Sequence, residues 1–320
     1  MKNYTILVSG ASGIVGYGIL KSLKGYGYRL IGTTIYENTP ADYFADIVEI
    51  APISTSEQYI PWLLDVIEKY KVDLAIPGIE IDMSVWNKNR NILLQTGAEF
   101  LLNNERLISL CLDKWHFYER MKEADSKYRI SSSIEPDFHR YAVPFILKPR
   151  CGYGSKGLVK VENKNTFVQF ESEIGDRLMM QEYVGSSSEE YTVSAFLDMD
   201  SNVKALISMK RKLSDLGFTE TAEVVHLEDI REVIVALSNI FKPIGPTNFQ
   251  FRRHNESWKL LEINPRISSA TSIRSAFGFN EAQMSVAYFL EKRQVQQPRI
   301  RTGRAVRYTE DFIVFNNDGA

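Results

Sequence analysis

The chain has 320 residues, of which 44% are hydrophobic and 24% charged, and its formal net charge is −2. This length predicts about two domains, and the near-neutral charge argues against a nucleic-acid-binding protein, which needs surplus cations to neutralise phosphates. No apolar run approaches the ~18 residues of a transmembrane helix. The two cysteines, Cys111 and Cys151, are too few for a disulfide or zinc framework, so a cytoplasmic protein is expected.

Strands and helices alternate over the first hundred residues. The N-terminal segment lacks the apolar region and the small-residue cleavage site of a signal peptide, and residues 4–8 are predicted as the first strand. Further strands are predicted over 29–35, 46–50, 73–77 and 98–102, and helices over 14–23, 57–70 and 84–95. Alternation of this kind is typical of βαβ units and a parallel sheet. We therefore predict an α/β domain over residues 1–103.

Strands dominate the chain after a helix predicted over residues 107–124. The later strands are predicted over 144–148, 157–161, 178–182, 191–197, 203–209, 246–252 and 258–264, and the later helices over 227–240 and 280–292. This pattern is typical of an α+β domain. We assign residues 104–320 to it.

A first glycine cluster, Gly10-Ala-Ser-Gly13-Ile-Val-Gly16, follows the first strand and opens a helix. In this context a glycine turn presents backbone N–H groups to the pyrophosphate of a dinucleotide. The same turn also serves as a tight connection in doubly wound domains that bind no cofactor. The motif alone leaves both interpretations open, with the plain turn favoured.

A second glycine cluster lies between two predicted strands. Lys148 ends the first strand, and Gly152, Gly154 and Gly157 follow before the second strand. A glycine-rich loop between strands is a flap that closes over phosphates, in contrast to the strand-to-helix phosphate loops. The pattern predicts a nucleotide-phosphate site in which Lys148 supplies a cation.

An acidic strand carries the third constellation, Leu-Leu-Glu262-Ile-Asn264-Pro-Arg266. Residues two apart in a strand face the same side, so Glu262 and Asn264 are expected together, with Leu261 and Ile263 in the core. Gln250 joins them if its strand pairs with theirs. Such oxygen ligands suit Mg²⁺ rather than zinc, and Arg266 would add a fixed cation for a phosphoryl group.

Taken in order, these motifs resemble the ATP-grasp superfamily, and they are most similar to its carbamoyl-phosphate-synthetase-like branch. The resemblance covers nearly the whole chain. It implies a Rossmann-like pre-ATP-grasp domain over residues 1–103 and an ATP-grasp module over 104–320. Within the module it implies a small lobe over 141–185 and a large lobe over 186–320.

The resemblance also implies roles for individual residues. The predicted ATP-binding residues are Lys114, Lys148, Gly152, Gly154, Ser155, Gly157, Gln181, Glu182, Val184 and Glu190, with Glu189 as an alternative to Glu190. The predicted Mg²⁺ ligands, with Mn²⁺ as the alternative ion, are Gln250, Glu262 and Asn264. Arg266 and Lys148 are the predicted catalytic residues.

The implied activity is that of an ADP-forming ligase, which activates a small-molecule carboxylate as an acyl phosphate for attack by an amine or a thiol. Serine stands where bicarbonate-using relatives carry a second arginine, so bicarbonate is not the expected substrate. Residues 78–90 and 267–275 are the expected substrate-binding segments. The resemblance is compatible with a homodimer, and neither nucleic acid nor membrane is an expected partner.

Two other functions stay open from the sequence. The first is an NAD(P)-dependent oxidoreductase built on the turn at Gly10, and the second is a non-catalytic ATP-binding regulatory protein. The basic run Lys210-Arg211-Lys212 is predicted as a solvated loop, with the alternative that Arg211 faces an acidic substrate or the γ-phosphate. The polar segment 213–223 is expected to be a mobile cover.

Overall fold

The computed structural model describes residues 3–152, 157–214, 217–311 and 313. The chain divides into two compact units. The first unit comprises residues 1–103, 266–301 and 306–320, and the second comprises 104–265 and 302–305. No helix within the described ranges has the length and apolar character that crossing a bilayer requires.

A parallel sheet with the strand order β3-β2-β1-β4-β5 forms the centre of the first unit. The strands are β1 (Thr5–Val8), β2 (Arg29–Thr34), β3 (Ile47–Ile50), β4 (Leu74–Ile76) and β5 (Glu99–Phe100). Helices between them are α1 (Ile14–Leu23), α2 (Ala41–Phe44), α3 (Tyr59–Tyr70), α4 (Glu80–Lys88) and α5 (Arg90–Leu93). Every residue of β1 is buried, as expected for a central strand covered on both faces. The predicted α/β architecture is confirmed.

The first unit also contains a late segment of the chain. Helices α10 (Thr271–Ala276) and α11 (Glu281–Ser285) lie here, followed by a turn of π-helix over Val286–Leu290. Ile267, Ala282 and Val286 are buried in the same apolar cluster as Ile6 and Val8 of β1. The first unit has a boundary at residue 103, where the sequence placed it, but it also includes residues 266–301, because a strand pattern does not reveal which distant segment covers the sheet.

The second unit contains two antiparallel sheets, and the predicted α+β architecture is confirmed. The smaller sheet has the order β6-β9-β7-β8 and the larger has the order β14-β13-β10-β11-β12-β15. The strands are β6 (Ser132–Ser133), β7 (Phe145–Pro149), β8 (Val159–Val161), β9 (Leu178–Glu182), β10 (Glu190–Leu197), β11 (Val203–Leu213), β12 (Thr219–Val224), β13 (Gly245–His254), β14 (Ser257–Asn264) and β15 (Arg304–Val306). The helices are α6 (Glu105–Leu112), α7 (Lys114–Glu123), α8 (Lys164–Phe170) and α9 (Ile230–Phe241).

Each sheet has its own apolar core. Phe145 and Leu147 of β7 pack with Phe167 of α8 beneath the smaller sheet. Val193 of β10 and Ile234 of α9 belong to the core of the larger sheet. Each of these sheets therefore presents one apolar face to helices and keeps its polar side chains on the other face.

Segment 213–223 is largely strand over the residues that the structure describes, and its role as a mobile cover stays a prediction. β11 continues to Leu213, and Thr219–Val224 forms β12, which pairs with it antiparallel. Residues 215 and 216 lie outside the described residues. The segment is polar because it belongs to an antiparallel sheet with one exposed face, where alternate residues meet solvent.

Candidate functional site

The smaller sheet carries the predicted phosphate flap. β7 and β8 are antiparallel neighbours, so the glycine-rich loop joins two strands as predicted. Gly152 and Gly157 have φ values of +110° and +74°, which residues with a side chain rarely adopt. The predicted ligands Gly154 and Ser155 lie outside the described residues.

Lys148 stands near the end of β7, where the flap begins, and is partly buried. Burial is the main cause that lowers the pKa of its ammonium group to about 8; Lys114 also lowers it, while Glu262 acts in the opposite direction. A group feels such charges only when they are near, so Lys114 and Glu262 each lie near Lys148. The structure therefore brings the flap and the acidic strand to one site.

Lys114 is held by its neighbours at the start of α7. Asp113 interrupts the predicted helix over 107–124, and its carboxylate caps α7 by accepting a hydrogen bond from the Trp115 N–H at 2.8 Å. The Arg150 guanidinium binds the other oxygen of Asp113 at 2.7 Å. The Lys114 ammonium donates to the Gly152 carbonyl at 2.6 Å, so the helix start and the flap base are tied together.

The acidic strand pair forms the other half of the site. Gln250 of β13 lies opposite Glu262 of β14, as predicted. The Glu262 carboxylate accepts one hydrogen bond from the Gln250 amide and another, at 3.0 Å, from the Asn264 amide. All three predicted metal ligands therefore meet around one carboxylate.

A β-bulge in β14 changes which of its side chains face the core from the arrangement that the sequence predicts. The register shifts after Gln250, so that Phe251 pairs with Leu260 and Leu261 is the extra residue. Leu260 and Ile263 enter the core, whereas Leu261 is only partly buried and lies outside it. The simple alternation that assigned Leu261 to the core was wrong, since a bulge reverses the facing of the residues that follow it.

The three ligands fit a hard divalent cation. Gln250, Glu262 and Asn264 offer one carboxylate and two amide oxygens, which is the donor chemistry of Mg²⁺. Among the residues that the structure describes, no three His, Cys, Asp or Glu side chains are grouped to hold a metal. The Gln250, Glu262 and Asn264 set has only one carboxylate. A metal ion held there would need further oxygen ligands from water or phosphate, which Mg²⁺ commonly uses.

Glu190 and Arg211 continue a row of polar side chains across the larger sheet, called the polar row, which begins with Glu262 and Gln250. Arg211 lies within β11 and is 7% exposed, so the predicted solvated loop is wrong here. Its guanidinium binds Glu190 at 3.0 Å and also donates to the Gln250 side-chain oxygen. Arg252 binds the second oxygen of Glu190 at 3.1 Å. The carboxylate predicted to bind ribose is thus buried between two guanidinium groups.

The alternative ribose-binding residue, Glu189, has different surroundings. Its carboxylate accepts hydrogen bonds from the Lys210 ammonium at 2.5 Å and the Tyr191 hydroxyl at 2.6 Å. The choice between Glu189 and Glu190 stays a prediction.

The predicted adenine-binding segment runs from the end of β9 into a glycine turn. The Gln181 amide donates to Ser132 Oγ at 2.9 Å, and Glu182 is exposed. Val184 is buried. The Gly185 N–H donates to His254 Nδ1 at 3.1 Å, which anchors the segment on the β13–β14 hairpin. The adenine contact itself stays a prediction.

Arg266 is described within the first unit. One end of its guanidinium donates to the Ile267 carbonyl at 3.0 Å, and the other end lies 3.4 Å from the Glu80 carboxylate. Its Nε is buried and has no hydrogen-bond partner among the described residues. Its predicted role at a transferred phosphoryl group stays a prediction.

The glycine turn after β1 is closely packed against its neighbours. A Cβ atom placed on Gly10 would lie 2.6 Å from the Ile79 side chain, and one placed on Gly16 would meet the Gly10 carbonyl at 2.3 Å. These glycines permit close packing between the turn, α1 and the segment after β4. The plain-turn interpretation accounts for the motif, and the oxidoreductase alternative is not favoured.

Sequence reasoning missed the supports of the site. The ion pair Asp113–Arg150 could have been found in part, because an Asp before a run of helix formers is an N-cap signal. Arg252 and Ser132 carry no such signal, since their partners lie far away in the sequence and meet them only through strand pairing. Arg211 was noticed, but its burial was not predicted.

Two family models match the chain. Residues 6–101 match the model described as "PylC-like, N-terminal domain". Residues 175–312 match the model described as "ATP-grasp in the biosynthetic pathway with Ter operon". These matches confirm the resemblance that the motifs predict.

A curated relative is the carbamoyl phosphate synthase large chain of Thermoplasma acidophilum. It is 24% identical over 296 residues, which cover 82% of this chain and 27% of the relative. The chain thus spans about a quarter of the length of the curated relative it matches.

Solved structures share the fold at low sequence identity. N5-carboxyaminoimidazole synthetase from Staphylococcus aureus, complexed with ADP, has a TM-score of 0.72 and 18% identity and covers 93% of this chain and 80% of its own. The biotin carboxylase domain dimer of Hydrogenobacter thermophilus 2-oxoglutarate carboxylase, in complex with MgADP, ADP and bicarbonate, has a TM-score of 0.71 and 16% identity. The match covers 95% of this chain and 74% of the relative. L-amino acid ligase from Bacillus licheniformis has a TM-score of 0.65 and 13% identity, and the match covers 90% of this chain and 74% of the relative. At these identities the likeness establishes the fold.

Proposed function

We propose that this chain, which joins an ATP-grasp domain to a PylC-like N-terminal domain, is an ADP-forming ligase that activates a carboxylate with ATP for attack by an amine. The observation that carries the proposal is the meeting of Lys148 at the flap with Glu262 and its two amide neighbours. A cation beneath a glycine flap and a hard-metal ligand set are the two parts that phosphoryl transfer from ATP needs. The solved relatives named with ADP or MgADP support the same nucleotide and ion.

The residues of the second unit would act mainly by position and charge. Lys114, Lys148 and the flap amides would neutralise the nucleotide phosphates, and Gln181 to Val184 would receive the adenine. Gln250, Glu262 and Asn264 would hold Mg²⁺, which supplies charge neutralisation at the β- and γ-phosphates. Mn²⁺ accepts the same oxygen donors and is expected to replace it.

The reaction would proceed in two displacements. A carboxylate oxygen of the acid attacks the γ-phosphorus and releases ADP, which leaves an acyl phosphate. The amine nitrogen then attacks the acyl carbon, inorganic phosphate leaves, and the amine loses a proton. Neither step needs a nucleophile from the protein, so fixed cations such as Lys148, and Arg266 two residues after Asn264, would provide the stabilisation.

The substrates are proposed to be a small carboxylic acid and an amine or thiol. Amino acid ligation by one structural relative supports an amine as the second substrate. We further infer a homodimer, since one relative is a domain dimer. A cytoplasmic location is supported by Cys111 and Cys151, which are both reduced.

The test is trapping of the acyl phosphate with hydroxylamine, which converts it to a hydroxamate without any amine substrate. The purified protein is incubated with Mg²⁺, ATP and a panel of carboxylic acids, and ADP and hydroxamate are measured together. We expect both products with at least one acid. Glu262→Gln is expected to abolish them because it removes the one carboxylate of the ligand set.

The matched control is Glu256→Gln, which removes an exposed carboxylate from the turn of the same hairpin. It should leave turnover unchanged. Tight ATP binding without ADP formation across the panel would instead favour a regulatory ATP-binding protein. Binding of NAD(P) in place of ATP would favour an oxidoreductase.

A further inference from the structure

One metal ligand of the proposed site is already engaged. The side-chain oxygen of Gln250 accepts a hydrogen bond from Arg211, while its amide nitrogen donates to Glu262. An amide has only this oxygen with which to bind a metal ion. Gln250 can therefore serve a divalent cation only if Arg211 gives up or shares that oxygen.

Arg211 is itself incompletely paired. Its side chain is 5% exposed, one terminal nitrogen serves both Glu190 and Gln250, and its Nε is buried without a partner among the described residues. Glu190 cannot readily supply more, because its second oxygen is taken by Arg252. When Gln250 turns to a metal ion, the buried guanidinium loses an acceptor as well, and buried donors left unpaired are costly.

A nucleotide phosphate is the anion that would arrive together with the metal. Lys148 lies near Glu262, whereas Arg211 contacts Gln250, on the other side of Gln250 from Glu262. Gln250, Glu262 and Asn264 would hold the metal ion, which would supply charge neutralisation at the nucleotide phosphates. The guanidinium released from Gln250 would then be satisfied by the outermost phosphate.

We propose that Arg211 and a divalent metal ion compete for the Gln250 side-chain oxygen, and that Arg211, once displaced, binds the terminal phosphate of ATP. The inference rests on the proposed function, since it assumes a metal–nucleotide complex at this site. It assigns Arg211 two opposite effects. Arg211 weakens metal binding when no nucleotide is present, and it strengthens binding of a nucleoside triphosphate.

The first measurement is a titration of the full chain with MnCl₂ alone, in which the electron paramagnetic resonance signal of free Mn²⁺ gives the affinity. Arg211→Met is expected to tighten Mn²⁺ binding about tenfold, because it removes the competitor from Gln250. Lys212→Met is the matched control. It removes a cation of the same charge from the next position of β11, where the side chain is exposed, and should change the affinity little.

The second measurement compares Mg²⁺-dependent binding of ADP with that of a non-hydrolysable ATP analogue by calorimetry. Arg211→Met is expected to weaken binding of the analogue about tenfold and binding of ADP less than about twofold. If Arg211→Met does not fold, Arg211→Lys is used for both tests, since the lysine side chain is shorter and offers a point charge in place of the planar fork of the guanidinium. The same directions are then expected at a smaller size.

Two results would overturn the inference. One is unchanged or weaker Mn²⁺ binding by the Arg211 variant, and the other is an equal loss of affinity for both nucleotides, which indicates a purely structural role beside Glu190. A wild-type chain that binds neither nucleotide overturns the proposed function itself, and the inference falls with it. A wild-type chain that binds both nucleotides leaves the proposed function standing whatever Arg211 does.

Discussion

Lys148 shows how burial can prepare a side chain for a phosphate. Burial and, to a smaller extent, the nearby Lys114 lower its pKa, Glu262 partly offsets both, and the net pKa is about 8. An ammonium group in such a position is charged at neutral pH but loses its proton far more readily than an exposed lysine. Phosphate oxygens would favour the charged form and raise the pKa again, so nucleotide binding should be linked to proton uptake.

The linkage predicts a proton taken up on binding at alkaline pH. At pH 8.5 a free group with a pKa near 8 is mostly neutral, so binding of Mg²⁺-ADP should take up about three quarters of a proton. At pH 6.5 the group is already charged and the uptake from it should vanish. Calorimetry in buffers of different ionisation enthalpy measures this number.

Lys148→Arg is the matched variant for this prediction. A guanidinium stays charged across this pH range, so the difference in proton uptake between pH 6.5 and 8.5 should disappear while binding is retained. An equal proton uptake by wild type and variant at pH 8.5 would assign the proton to another group.

At this scale the sequence predicted which side chains meet but not how they are held. Period-two alternation placed Glu262 beside Asn264, and strand pairing with Gln250 followed. Alternation failed at Leu261 because one inserted residue reverses the facing of a strand. The contact of Arg211 with Gln250 depends on the register between β11, β10 and β13, which no local pattern encodes.

At the scale of elements, one ion pair connects α7, the flap base and the smaller sheet. Arg150 binds the Asp113 carboxylate at 2.7 Å and the Gly175 carbonyl at 2.7 Å. Burial raises the pKa of Asp113, but the Arg150 guanidinium and the Trp115 amide outweigh it and leave the pKa below its usual range. The pair therefore stabilises the fold while Asp113 is ionised, and this contribution is lost as the pH falls below about 4.

We expect Arg150→Met to lower the free energy of unfolding by about 1–3 kcal/mol at pH 7, since it leaves the partly buried Asp113 without its cation. Binding of Mg²⁺-ADP should weaken as well, because Lys114 and the flap lose their common support. Urea denaturation followed by circular dichroism measures the first effect, and calorimetry measures the second.

Arg129→Met serves as the control, since Arg129 pairs with Asp125 at an exposed position. It should change the free energy of unfolding by less than about 1 kcal/mol. Equal effects of the two substitutions would contradict the assignment of Arg150 as a support of the site.

Most elements could be read from the sequence because hydrophobic periodicity and glycine positions report local structure. The strands around Lys148 and Glu262 were predicted, and a strand-to-strand glycine loop followed from them. The strand around Arg211 and the strand over 219–224 were not predicted, because polar strands lack an apolar signal: Arg211 was assigned to a solvated loop, and segment 213–223 was interpreted only as a mobile cover. The split of the helix at Asp113 was missed because apolar residues continue on both sides of its capping side chain.

At the scale of the whole molecule, the first unit is built from segments far apart in the chain. Ile267, Ala282 and Val286 complete the apolar cluster around β1, and the Asn280 amide donates to the Ser22 carbonyl of α1 at 2.6 Å. The sequence could not predict this return, since the helices at 271–276 and 281–285 show only that they are amphipathic, not which sheet they cover.

This arrangement predicts that residues 1–103 alone cannot form a stable domain. Without the returning segment, α1 and β1 would expose part of their apolar cluster, which removes hydrophobic stabilisation that a unit of this size needs. Joining residue 103 to residue 266 through a glycine–serine linker, and ending the chain at 301, should restore the missing contacts. We expect cooperative thermal unfolding for the joined chain only, measured by circular dichroism, with dispersed amide signals in its NMR spectrum. Cooperative unfolding of the 1–103 fragment at the same temperature as the joined chain would show that the return is dispensable.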